Sequence, residues 1–246
     1  YRARFLMPLS ESGGMVTFRY GLDLVFEKVS AKQFMQEPGF VEEANTLLDK
    51  VGTLKETQGL SILPTLVYDN VTINNITYDG LRVLYKLGSF ISSDENYLQN
   101  RLNIFYYHMF HPNWNLAAQL AWLHSDSNSY QAQTFLGGFD SVRGVPDGGI
   151  FGSKAIYTNI ELRHILGKLK YTWFQGAVFF DWGMAHNEYD KITDHQRRSA
   201  GFGIRFYIPQ TTRVMFRFDF AFDLDNPKNK GLSAGMNQFF QPYRPL

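Results

Sequence analysis

Residues 213–223, RVMFRFDFAFD, put aromatic groups on one side of the chain and charges on the other. Val214, Phe216, Phe218, Phe220 and Phe222 alternate with Arg213, Arg217, Asp219 and Asp223. A strand points successive side chains to opposite faces, so this period of two describes a strand with one apolar and one charged face. Two folds accept such a strand. A soluble sandwich buries the phenylalanines against a second sheet. A membrane barrel turns them to lipid and keeps the charges in a wet lumen. The segment 172–183, TWFQGAVFFDWG, repeats the pattern, with Phe174, Val178, Phe180 and Trp182 on one face and Gln175, Ala177, Asp181 and Gly183 on the other. It recurs at 16–26, 155–165 and 200–208. These stretches run to about 9–11 residues, the length a tilted strand needs to cross a bilayer; sandwich strands are usually nearer 5–6. Aromatic residues make up 16% of the chain, with 22 Phe and 14 Tyr, a load that suits a barrel with aromatic girdles. No apolar run approaches the roughly 20 residues of a membrane helix.

Eleven strands are expected, near 1–8, 15–27, 60–69, 80–90, 97–110, 115–124, 154–165, 171–181, 199–208, 212–222 and 230–240. Their connections alternate in length. Short ones fall at 8–14, 69–80, 111–114, 166–170 and 209–212, and long ones near 28–58, 88–97, 125–153, 183–198 and 223–230. Short turns on one side and long loops on the other fit the periplasmic and extracellular ends of an outer-membrane barrel. Single-chain bacterial barrels have even strand numbers, and an odd sheet leaves costly unpaired edges in lipid. Either a twelfth strand lies unrecognised in the pattern or the chain is part of a larger barrel; the start inside a strand-like YRARFLMP favours the second, and all of 1–246 is expected to be one barrel domain. One stretch breaks the β pattern. In 40–52, FVEEANTLLDKVG, apolar residues recur at helical spacing, Glu42 and Glu43 open the segment, and Lys50 and Gly52 close it. The spacing predicts a short helix inside the long loop 28–58.

Several function classes are disfavoured. A net charge of +1 gives no nucleic-acid reading. The chain has no Cys, which removes thiol and Cys-based zinc chemistry. His108, His124, His164, His186 and His195 supply ingredients for a hydrolase, but no GxSxG or HExxH motif organises them. No catalytic residue, metal ligand or cofactor is expected. A passive porin remains open beside a barrel that handles proteins.

The loop 136–152, LGGFDSVRGVPDGGIFG, is rich in Gly and carries one cation, Arg143. Its composition alone suits a loop waving in solvent. Glu161 and Asp181 change that reading, because both fall on the polar face of consecutive strands. A guanidinium folded inward satisfies both carboxylates with forked, charge-assisted hydrogen bonds. Gly144, Gly148 and Gly149 permit the reversal that brings it down.

These residues resemble a known family. LGGFDSVRG is similar to the conserved loop of the BamA/two-partner-secretion superfamily of assembly and translocation barrels. FFDWG resembles its later strand motif, and SILPTLVYDN followed by Asp79–Gly80 its strand–Asp–turn signature. LSAGMNQFF, with Gly235, Phe239 and Phe240, resembles its C-terminal strand, the recognition signal for barrel insertion. Val145 stands where the family usually has Phe or Tyr, and the chain runs on past the last aromatic as QPYRPL. The resemblance implies a barrel of sixteen strands with this loop after the eleventh. Five strands follow the loop here and six precede it, so five strands and the periplasmic domains before them are expected to be absent. It implies Arg143 and Gly144 as a loop anchor seated on Glu161, Asp181 and Gly183. It also implies an outer-membrane location, with lipid, unfolded or secreted proteins, and accessory periplasmic or lipoprotein subunits as partners. An assembly insertase, a secretion pore and a barrel fused to an enzyme passenger all stay open.

Overall fold

The computed structural model describes residues 1–12, 16–29, 57–74, 76–208 and 215–236. In chain order the strands are β1 (Arg2–Ser12), β2 (Val16–Val29), β3 (Thr57–Asp69), β4 (Thr72–Asn74), β5 (Thr77–Ser92), β6 (Asn96–His111), β7 (Trp114–Ser125), β8 (Thr134–Leu136), β9 (Ile150–Gly152), β10 (Lys154–Leu169), β11 (Thr172–His186), β12 (Gln196–Tyr207), β13 (Met215–Asp223) and β14 (Lys230–Met236). Eleven of them pair side by side as β1-β2-β3-β5-β6-β7-β10-β11-β12-β13-β14, every neighbour antiparallel. Strand β4 pairs only with β5, and β8 with β9 makes a separate two-stranded ribbon. β1 and β14 are the ends of the path, and no ladder joins them among the described residues. No helix among the described residues is long and apolar enough to cross a membrane.

The two faces of the sheet divide as the alternation requires. Phe180, Phe202, Phe216, Phe218 and Phe222 are exposed on one face, with Phe174 and Phe220 half-buried beside them. Asn159, Glu161, Arg163, Gln175, Asp181, Arg205, Arg217 and Asp219 are buried on the other. The charged face is thus the inner one, inverting the usual rule that ionisable groups stay outside. Arg213 and the helix expected in 40–52 lie outside the described residues.

Two expected connections are corrected. The stretch 88–97 is no long loop: β5 and β6 continue to Ser92 and Asn96 and turn in three residues. The Ser92 hydroxyl accepts the amides of Asp94 and Glu95, and the Ser92 amide donates to Asn96 Oδ1, so this local capping replaces a loop. The stretch 69–80 is no simple turn. It contains β4, which folds back on the first residues of β5. Of the other long loops, those among the described residues run at 126–153, at 187–195, where a short 3-10 segment runs from Tyr189 to His195, and at 224–229; the loop expected at 28–58 lies almost wholly outside them.

Candidate functional site

The 28 residues between β7 and β10 return onto the inner face instead of leaving it. The ribbon β8–β9 forms the stem, with Leu136 and Ile150 packed against Ala155 of β10 and Ala185 of β11. The tip is tied to itself and to the wall. The Ser141 hydroxyl accepts the Gly137 amide at 2.7 Å, and the Gly138 amide donates to the Val145 carbonyl at 2.9 Å. Asn159 of β10 donates to the Ser141 carbonyl at 2.5 Å. Ser141, Val142, Arg143 and Val145 are all buried. Gly144 sits at φ 83°, a region that only glycine enters without strain, and a Cβ there would stand 3.0 Å from Ala221 of β13. Gly148 also has positive φ, whereas Gly149 does not. Gly183 serves by its lack of bulk: a Cβ would come within 2.7 Å of Val142.

Arg143, 1% exposed, is the centre of the arrangement. Its Nε and Nη2 fork onto the two oxygens of Asp181, each at 2.8 Å, and its own backbone amide donates to Asp181 Oδ2 at 3.1 Å. Nη1 donates to Glu161 Oε1 at 2.5 Å and to Asp219 Oδ2 at 3.2 Å. The guanidinium carbon also lies over Phe179, 3.5 Å from the ring centre, a desolvated cation–π contact. Burial alone would loosen its proton, but Asp181 and Glu161 outweigh that and raise its pKa further, so the group stays charged. In the ladder Asp181 faces Asn159, and Glu161 faces Phe179. The two carboxylates are therefore diagonal, and one guanidinium spans the offset.

The sequence reading stopped at this pair; the structure extends it. Arg163 holds Glu161 Oε2 at 2.7 Å, Arg205 approaches Glu161 at 3.2 Å and Asp219 at 2.8 Å, and Arg217 reaches Asp219 at 3.2 Å. Four guanidiniums and three carboxylates from the loop and four strands form one buried cluster. Period-two parity puts Glu161, Asp181, Arg217 and Asp219 on the polar face, but nothing in it says which charges meet, and it gave no reading of Arg163 or Arg205. Of the residues expected to form the C-terminal signal, Gly235 lies on β14, where a Cβ would stand 3.1 Å from Arg217. Phe239 and Phe240 lie outside the described residues. No group of three or more His, Asp or Glu side chains that could hold a metal ion occurs among the described residues.

A model of the Omp85 superfamily domain matches residues 2–240. The chain belongs to the Omp85 superfamily. This is the superfamily of assembly and translocation barrels that the loop and strand motifs resemble. A search among curated proteins by sequence finds no match. Among solved structures, CdiB from Escherichia coli has the same fold, with a TM-score of 0.68 at 14% identity. The match covers 96% of this chain and 44% of that one, so this chain spans less than half the length of CdiB.

Proposed function

We propose that this chain is part of the wall of a bacterial outer-membrane β-barrel that inserts proteins into, or moves them across, that membrane, with no chemistry and no cofactor of its own. The single observation that carries the reading is the loop seated on the inner face by Arg143, in a chain of the Omp85 superfamily. Its substrates are unfolded or secreted proteins, accessory periplasmic or lipoprotein subunits assist it, and the complete barrel has sixteen strands. The outward phenylalanines support contact with lipid. So do stacked rings at both ends of the wall: Trp114 on His164 at one end, and Trp122, His124 and Tyr189 in a row at the other. Aromatic rings collect at the two membrane–water boundaries. A passive porin needs its inner face clear, whereas here a buried loop and seven buried charges occupy it.

The full-length protein in liposomes, offered a radiolabelled unfolded outer-membrane or secreted protein, tests the reading. Protease-protected or membrane-inserted substrate should accumulate, and Arg143→Met should reduce it. Small-solute flux without any substrate handling would replace the reading with the porin.

A further inference from the structure

A second element also crosses the inner face, from the opposite end of the wall to the Arg143 loop. At Gly80 the chain leaves the ladder between β5 and β6, which begins with Gly80 opposite Tyr107. Gly80 has φ 126°, and a Cβ there would lie 2.6 Å from the Asn70 carbonyl oxygen. Only glycine makes this departure without strain. The preceding residues, Thr77–Asp79, pair instead with β4 (Thr72–Asn74), and this small hook turns inward. Ile76 and Thr77 are 1% and 2% exposed, and Tyr78 is buried.

The hook passes in front of β6 and is fastened to β7, two strands from its own. Asn115 of β7, fully buried, donates to the Tyr78 carbonyl at 2.7 Å. On β6 the Met109 amide donates to Asp79 Oδ1 at 2.8 Å, and the Thr77 hydroxyl lies 3.3 Å from Met109 Sδ. The Tyr78 and Tyr107 rings meet edge to face at 5.3 Å. In the β7–β10 ladder Asn115 stands opposite Arg163, the far end of the ion cluster. One wall therefore carries two inward elements, one from each end. Strands lie about 4.8 Å apart, so a hook reaching two strands over covers roughly 10 Å of wall, about the width of an extended chain with its side chains.

We infer that the β4–β5 hook is a latch across the short-turn end of the lumen, held by Asn115 and Met109, which must swing out about Gly80 before a polypeptide can travel along this wall. This rests on the reading of the chain as a protein-handling barrel, and deepens it by naming a second barrier beside the Arg143 loop. The hook is a poor fit to a purely structural turn. Among the described residues, two other connections at that end, at 112–113 and 170–171, need only two residues.

The test uses the full-length protein in planar bilayers, where conductance is read without any substrate. Thr77→Cys with Met109→Cys places two thiols where the side chains now touch, in a chain that has no Cys of its own. Oxidised, with the crosslink confirmed by mass, the protein should lose its larger openings. Reduction of the same folded sample should restore them, and Asn115→Leu should make them more frequent. Equal conductance in the oxidised and reduced states overturns the latch. The two readings separate in a parallel translocation assay. A lock that closes the larger openings while substrate passes unhindered upholds the latch and removes the lumen as the protein's path. A lock that blocks both upholds both.

Discussion

Arg143→Met would leave Arg163, Arg205 and Arg217 facing Glu161, Asp181 and Asp219, a balanced set of charges. The loss should still be large, because Asp181 makes its ion pair with Arg143 and with no other cation among the described residues. Breaking a buried pair strands the remaining charge and costs about 3–5 kcal/mol. Denaturant unfolding of the folded barrel should show a loss of that order. Arg143→Met with Asp181→Leu should recover much of it, since apolar groups of similar volume often replace a buried pair at no net cost. A double variant no more stable than the single one would mean that Asp181 is not the stranded charge. Arg143→Lys should not rescue, because an ammonium cannot fork onto Asp181 and lie over Phe179 at once. Arg143, Glu161 and Asp181 were legible in the sequence through strand parity and the motif. Phe179 was not legible: parity puts it on the polar face between Ala177 and Asp181, but nothing in the sequence pairs its ring with Arg143. Arg205 and Asp219 could not be assigned partners at all, because Asp219 lies 76 positions after Arg143 and pairing across that distance follows from sheet order.

Between elements the fit is set by what is missing. Gly183→Val pushes a side chain into the space Val142 fills. The loop should lift off β11 while the strands remain paired, and limited proteolysis within 138–149 should speed up without loss of the folded barrel. Gly203→Ala offers a contrast, since its Cβ would fall 2.0 Å from Asp219 Oδ1 and 2.3 Å from Arg205 Nη1. That change strikes the ion cluster itself, so it should lower global stability as well as loosen the loop. If both variants behave alike, loop docking and the cluster are one unit. The strands were readable because one apolar and one charged face leave a strict alternation over many residues. The extents of β5 and β6 and the presence of β4 were not readable. Polar residues such as Ser92, Asn96, Thr72 and Asn74 suit a turn as well as a strand, and only their hydrogen bonds decide.

For the molecule as a whole, the outward face should behave according to depth in the bilayer. Phe218, midway along β13 and 44% exposed, should cost about 2–4 kcal/mol when changed to Arg. Leu166, near the end of β10 and 59% exposed, should cost about 0–1 kcal/mol for the same change. Folding titrations into lipid vesicles would compare the two, and equal costs would argue that this face does not meet hydrocarbon. The ion cluster also has a consequence in time. Every carboxylate that seats Arg143 comes later in the chain than the loop, on β10, β11 and β13. The loop thus exists before its docking place does. Contacts separated this far along a chain close slowly, so the guanidinium must wait, solvated and unpaired, until β10 and β11 have joined the wall, and its last carboxylate arrives only with β13. Full burial of Arg143 then works as a clock that stops only when the sheet has been laid down through Asp219, and a chain stalled before β11 would betray itself by a loop still open to protease.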